Sequence, residues 1–414
     1  MDKQSPNGSE GGYGWVVVAV SPILLAISSG SANTMSVFLV PLTEAMGWSR
    51  AATAFGYQAG TLCLGLGGIA MGWLADRYPV RRIALFGVVV VGLSYFMLSR
   101  QNSLWEFYLY FCLLNGFGGG ALFAPLLANV GNWFTDSKGT ALGIVTAGQV
   151  LGQGLLPYVS RLLISAYGWR EAYFLLGAGS LALALPLVAL LRTAPSLQAV
   201  WAARSGGHPA ADEGRYPLPS WAVISWLGFA AIFCCITMAT PLVHLVALAQ
   251  DKGIAADRAA RLLLALFVTG VFGRLAYGGL ADRLGPLRSY MLASAWQTAL
   301  VFGFTMLDSL AGLSVYAALW ALGYSGVMVS LVVSVRALTP LRQRGLGVGV
   351  VSLFGWIGMG LGGEQGGFFF DLTGNYTQAF ANAALAGVVN LTVLAALWFT
   401  LRRREAAFMP AIAP

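Results

Sequence analysis

Charge is what this 414-residue chain has least of: Asp, Glu, Lys and Arg together make up 10% of it. Soluble domains carry roughly a quarter of their residues as charges, so a surface wetted on all sides is excluded. Histidine occurs only twice. Cysteine occurs four times, at Cys63, Cys112, Cys234 and Cys235, always inside apolar runs and never at metal-ligand spacing. The vicinal pair is poorly disposed for a disulfide, so all four read as small core side chains. No nucleotide loop, metal cluster or nucleophile–base constellation stands out, so neither enzymatic activity nor a cofactor is expected. The glycine runs at 116–120 and 358–363 look superficially like phosphate loops, but neither follows a strand in a βαβ unit. They read as places where helices pack closely or bend. Basic patches interleaved with aromatics are absent too, which removes nucleic acid as a partner despite a formal net charge of +8.

Apolar residues are abundant, at 57% of the total. They fall in runs of spanning length between short polar breaks. Helices are predicted over about 14–42, 50–75, 81–99, 104–130, 138–166 and 171–192, then over about 219–249, 258–281, 287–308, 311–337, 345–370 and 376–401. The first run is too long for a signal-peptide core and reads as a retained span. The sum is an all-α membrane protein of twelve transmembrane helices in two six-helix bundles. Residues 1–192 form the first bundle and 219–414 the second. Between them, 193–218 reads as a cytoplasmic linker that carries His208, Asp212, Glu213, Arg215 and several prolines. With both termini in the cytoplasm, sixteen of the 24 basic residues fall inside and seven outside. That asymmetry accounts for the positive balance without an acidic partner.

The remaining basic residue is Arg274, inside the run LLLALFVTGVFGRLAYGGL. A guanidinium keeps its proton in any protein setting and costs several kcal/mol well inside an apolar helix unless its charge is answered. It falls about 20 Å from one end of the predicted helix and about 12 Å from the other, close to the midplane. No acidic residue falls at a comparable depth elsewhere, so the expected counter-charge is an anionic substrate.

A repeat links the halves. Gly72-Trp-Leu-Ala-Asp-Arg-Tyr-Pro-Val-Arg-Arg82 follows the second predicted helix, and Gly279-Leu-Ala-Asp-Arg-Leu-Gly-Pro-Leu-Arg288 follows the eighth. These stretches resemble the loop signature of the major facilitator superfamily, whose architecture is a pair of parallel six-helix repeats. In that setting Asp76, Arg77, Asp282 and Arg283 are expected to form a cytoplasmic gate motif, capping or pairing across helix ends. Two further stretches narrow the resemblance: Glu10-Gly11-Gly12-Tyr13-Gly14-Trp15, and Trp133-Phe134 followed by Lys138-Gly139-Thr140-Ala141-Leu142-Gly143 and Ala147-Gly148. Both are similar to signatures of the monocarboxylate transporters, and Arg274 falls where that family carries its substrate-binding arginine. Animal members carry a lysine where this chain has Asn33 and an aspartate where it has Gly270. The chain is therefore identified as resembling bacterial relatives.

His244 and Asp251 are candidates for the missing proton-handling groups. Seven residues apart, they lie within about 20° of one helix face. The bland alternatives, a hydrogen-bonded histidine and an interfacial carboxylate beside Lys252, stay open. Mid-helix residues expected to line a cavity are Asn33, Asn115, Phe117, Tyr324 and Phe354, with Thr146 and Gln149 beside them. Glu364 and Asp371 read as interfacial. What the resemblance implies is proton-coupled symport of a short monocarboxylate, of the lactate or pyruvate type, by a monomer in the bacterial inner membrane. An anion exchanger of the oxalate–formate type, a passive channel and a non-transporting sensor are the alternatives. The exchanger is disfavoured because no basic residue falls between Arg344 and Arg402.

Overall fold

The computed structural model describes residues 8–48, 50–134, 137–205 and 216–408. Among the described residues every regular element is a helix. α1 (Gly8–Asn33) and α2 (Met35–Met46) form one pass, broken at Thr34. The break has a local cause. The hydroxyls of Ser31 and Thr34 bond back to the carbonyls of Ser28 and Ser31, and Asn33 Nδ2 bonds the Ser29 carbonyl. Such back-bonding satisfies polar groups in apolar surroundings and bends helices.

α3 (Arg50–Ala75) and α4 (Val80–Ser99) come next. α5 (Leu104–Phe107) passes through a π-helical stretch, Tyr108–Gly116, into α6 (Phe117–Trp133). α7 (Lys138–Ala189) is continuous for 52 residues but holds two passes, because Gly168 turns the chain with a φ of 82°. That left-handed conformation costs a residue with a Cβ and is open to glycine. The expected loop between the fifth and sixth helices is thus a kink.

α8 (Pro195–Ser205) occupies the start of the expected linker. His208, Asp212, Glu213 and Arg215 of that linker lie outside the described residues. α9 (Ser220–Asp251), α10 (Ala256–Leu284), α11 (Pro286–Val301), α12 (Leu310–Leu338), α13 (Arg344–Thr373) and α14 (Thr377–Phe408) complete the chain. The α-helix of α11 stops short of the expected 308 and winds into a 3-10 turn over Phe302–Met306. With α1–α2 and α5–α6 each taken as one pass and α7 as two, the described residues make twelve passes. Among the described residues, eight helical spans are long and apolar enough to cross a membrane.

The chain forms two compact units, Met1–Glu213 with Leu341–Gly349 and Gly214–Pro340 with Val350–Pro414. In the first unit α1 lies along α7 and α3 along α6. Glycines set the first of these spacings: a Cβ at Gly148 or Gly152 would overlap the main chain of Pro22 or Ala26. In the second unit α10 lies along α12 and α9 along α14. There a Cβ at Gly273 would meet the Leu322 main chain and the Ser325 hydroxyl. Without a hydrophobic drive between helices in lipid, such close contact is a main source of association.

Gly152→Ala should therefore destabilise the first unit by about 1–3 kcal/mol, the range for overpacking a tight interface. Gly154, whose Cβ would meet nothing within 4 Å, is the control. Thermal unfolding in detergent should separate the two variants, and equal midpoints would refute this account of the α1–α7 contact.

Candidate functional site

Arg274 is 3% exposed, in the middle of α10. The helix runs about 27 Å before it and about 15 Å beyond it. The side that carries Gly270, Gly273 and Tyr277 faces α12. A Cβ at Gly270 would sit 3.6 Å from Ser325 Cβ and 3.8 Å from the Tyr324 hydroxyl. Tyr324 is buried, stacks on Trp320 with ring centroids 4.6 Å apart, and interacts electrostatically with Arg274. Arg274 and Tyr324 are thus brought together in the second unit. A Cβ at 270 would be in ordinary contact with both Ser325 and the Tyr324 ring and hydroxyl.

His244 lies half-buried on α9. Its Nε2 is 2.7 Å from the Gly363 carbonyl on α13. A carbonyl only accepts, so Nε2 carries a proton and Nδ1 is the atom left to take a second. Gly366 makes the position possible, since a Cβ there would overlap the imidazole. Tyr376 covers the ring at 5.2 Å between centroids. Asp251 ends α9 and is exposed. Burial first, then the charges of Asp251 and Asp371, raise the Tyr376 hydroxyl above the ordinary tyrosine value. Tyr376 therefore touches the His244 ring and feels the charge of Asp251, a proximity that helical spacing alone did not reveal. Phe354 of α13 is half-buried over Gly228 of α9. Glu364 and Asp371 are exposed.

The other expected cavity residues belong to the first unit. Asn115 is buried and bonded at both ends: Nδ2 donates to Ser94 Oγ at 3.2 Å, and Oδ1 accepts from Ser31 Oγ at 3.0 Å. Phe117 packs against Met71, Ala75, Ile83 and Ala121. Asn33 donates to its own helix. Thr146 bonds back to the Leu142 carbonyl, and Gln149 is buried on the same helix.

Asp76 makes the most developed polar contact of the first unit. It lies in the turn after α3 and is 5% exposed. Its Oδ1 accepts from Gly345 N at 2.9 Å and its Oδ2 from Leu346 N at 3.0 Å. Those amides open α13, where the first-turn N–H groups have no partner within the helix and the dipole favours an anion. Gly72 and Gly345 allow the approach, since a Cβ on either would overlap the other's main chain. Arg344 Nη1 donates to Asn132 Oδ1 at 3.0 Å. Arg77 folds back on its own helix, bonding the Trp73 carbonyl at 3.0 Å with its guanidinium 3.8 Å over the Trp73 ring. Asp282 and Arg283 differ from this pair. They lie within the last turn of α10, half-buried and exposed respectively.

The two signature stretches meet. Tyr13 lies tilted against Trp133 at 6.0 Å, Trp15 meets Phe134 edge-on at 5.1 Å, and Gly14 leaves room for the Phe134 ring. Arg192 covers Tyr13 at 4.0 Å, and the Tyr13 hydroxyl bonds the Leu190 carbonyl at 2.8 Å. Glu10 and Gly11 have no described side-chain environment, so that part of the motif lies outside the described residues.

Two units of long apolar helices with few buried charged groups are those of a multi-pass membrane protein. The family model described as Major Facilitator Superfamily matches residues 23–243 and 225–411, and the chain belongs to that superfamily. Monocarboxylate transporter 13 of Bos taurus is 27% identical over 378 residues, covering 90% of this chain and 87% of its own. Human monocarboxylate transporter 11 is 28% identical over 411 residues, covering 92% of this chain and 82% of its own. Among solved structures, a bacterial homologue of the iron transporter ferroportin in its outward-facing state superposes with a TM-score of 0.70 at 17% identity. That match covers 92% of this chain and 98% of the other and speaks for the fold.

Removing the Asp76 carboxylate leaves two helix-terminal amides in a largely buried turn. Asp76→Ala should cost about 1–3 kcal/mol, the penalty for an orphaned buried donor. Arg77→Ala, at an exposed group bonded only to its own helix, should cost less than about 0.5 kcal/mol. Chemical denaturation followed by far-UV circular dichroism checks the order of the two.

Proposed function

We propose that the protein is a proton-coupled symporter of short monocarboxylates, of the lactate or pyruvate type, working by alternating access. The observation that carries this reading is a guanidinium buried at mid-depth of a spanning helix, with a neutral tyrosine hydroxyl beside it. A planar fork of N–H donors suits a carboxylate, which can take two of them at once. The names of the relatives supply independent support for the substrate class. Arg274 would hold the carboxylate and Tyr324 would add a hydrogen bond. His244 and Phe354 of the second unit, and Asn33, Asn115 and Phe117 of the first, are the other residues proposed to contact the substrate, so that the cation sets class and mostly apolar contacts set size.

Proton coupling is assigned to Asp251 and His244, with Tyr376 against the His244 ring. Symport with a proton makes the cycle electroneutral. A bare monoanion entering against about 100 mV would cost about 2.3 kcal/mol. The basic-residue asymmetry supports cytoplasmic termini, and the departures at Asn33 and Gly270 support a bacterial inner-membrane protein; a monomer is proposed as the working unit. Residues 1–192 and 219–414 would be the moving halves and 193–218 the cytoplasmic linker. Asp76, Arg77, Asp282 and Arg283 would serve as the cytoplasmic gate, Asp76 by holding the first turn of α13.

Reconstituted into liposomes, the protein should take up labelled lactate or pyruvate faster under an inward proton gradient. Uptake indifferent to pH, and driven instead by a trapped anion, would move the assignment to exchange. Arg274→Lys keeps the charge but loses the fork, and is expected to cut uptake at least tenfold, equivalent to about 1.4 kcal/mol of binding. Near-normal uptake in that variant would remove Arg274 from the site.

A further inference from the structure

We infer that Trp201 is a positioning residue for the Asp76 contact, and that by covering this contact α8 decides the pH range over which the start of α13 stays docked. The inference concerns the first unit alone and holds whatever the substrate.

α8 is firmly seated. Leu197 and Val200 pack with Leu341, and Trp201 joins them. Trp201 Nε1 donates to the carbonyl of Asp76 itself at 3.0 Å. Ala194 N donates to Asn129 Oδ1 at 3.0 Å, and Ser196 Oγ to the Asn132 carbonyl at 2.8 Å. The residue carrying the carboxylate is thus held from one side by α8 and from the other by α13.

The surroundings of the carboxylate are poor in charge. Val80, Pro125, Asn129, Thr193 and Leu197 wall the space beside it. Two cations act on it: Arg77 from its own turn and Arg344 from the start of α13. α6 contributes the neutral Asn129 and Asn132 and α4 the apolar Val80; α8 carries one cation, Arg204, whose side chain lies outside the described ones. Burial outweighs the two amide bonds and both guanidinium groups, and raises the carboxyl from an ordinary 3.8 to about 7.

The sign follows from linkage. The docked turn binds a proton more tightly than a turn opened to water, so protons favour docking. The advantage is fully present below the ordinary carboxyl value and disappears as pH rises through about 7. Acidification therefore tightens the contact and alkalinity loosens it, although the docked carboxylate accepts two hydrogen bonds. Trp201 matters because it helps keep water from the turn.

Hydrogen–deuterium exchange on the full chain in lipid nanodiscs, corrected for the intrinsic pH dependence of exchange, reads the Gly345 and Leu346 amides directly. Their protection should be about tenfold lower at pH 8 than at pH 6. Asp76→Asn should abolish that step. Trp201→Ala should also abolish it, because a hydrated Asp76 stays ionised over the whole range. Trp201→Phe keeps an apolar cover without the Nε1 bond and should retain the step. A wild-type profile flat between pH 6 and 8, or a step that survives Trp201→Ala or Asp76→Asn unchanged, overturns the inference. Should Trp201→Ala fail to fold, Leu197→Ala thins the same cover and must move the midpoint to lower pH. An unmoved midpoint there is equally fatal.

Discussion

Hydrocarbon offers no hydrogen bonds, so each polar group in these helices has to be answered by another part of the chain or by a ligand. The chain meets this constraint in three ways. Hydroxyls such as Ser21, Ser29 and Thr146 bond the carbonyl one turn back and need nothing further. Asn115 is answered by two serines from neighbouring helices. Charges are kept for a few places, and there the answer comes from main-chain amides at Asp76 and, in the function proposed, from a visiting carboxylate at Arg274. Scarcity of charge in the composition is the visible side of this rule.

Glycine makes those answers geometrically possible. The Asp76 carboxylate reaches the α13 amides because Gly72 and Gly345 bring two main chains together. His244 reaches the Gly363 carbonyl because Gly366 leaves room for its ring. Gly273 lets α10 settle onto α12, and this brings Arg274 alongside Tyr324. A glycine-rich membrane chain is therefore better read as a set of close approaches that present polar groups to each other than as a flexible one.

Hydropathy placed the passes to within a few residues, because burial in lipid imposes one length on every helix. The depth of Arg274 was legible for the same reason. The inequality of the two repeated acidic turns was not read, although its cause lies in the sequence. Pro79 follows Asp76 by three positions, and the residue before a proline is driven out of the helical region. In the second copy Gly285 is inserted, Pro286 follows Asp282 by four, and α10 runs on through Leu284. Asp76 therefore lands in a turn and Asp282 in a helix. α8 was also readable: Leu197, Val200 and Trp201 stand at helical spacing within a stretch taken for linker. The meeting of Tyr13 with Trp133 was beyond reach, since a single sequence records no contact across 120 residues.

The neighbourhood of Arg274 bears on how a substrate could leave as well as bind. An aspartate one turn before an arginine on the same helix supplies a resident negative charge, which an incoming carboxylate must displace. Gly270 supplies none, and the Tyr324 hydroxyl is among the groups nearest to its Cβ position. A hydroxyl can donate to a bound carboxylate while carrying no charge that repels it. In the function proposed, the position would favour anion entry while giving up a group that could exchange a proton next to the substrate. In the symport mechanism proposed, that duty has to move along the second unit. His244 has a single imidazole nitrogen left to protonate, and the Tyr376 ring against it feels the charge of Asp251. On this argument, separating charge recognition from proton exchange follows directly from a glycine at 270.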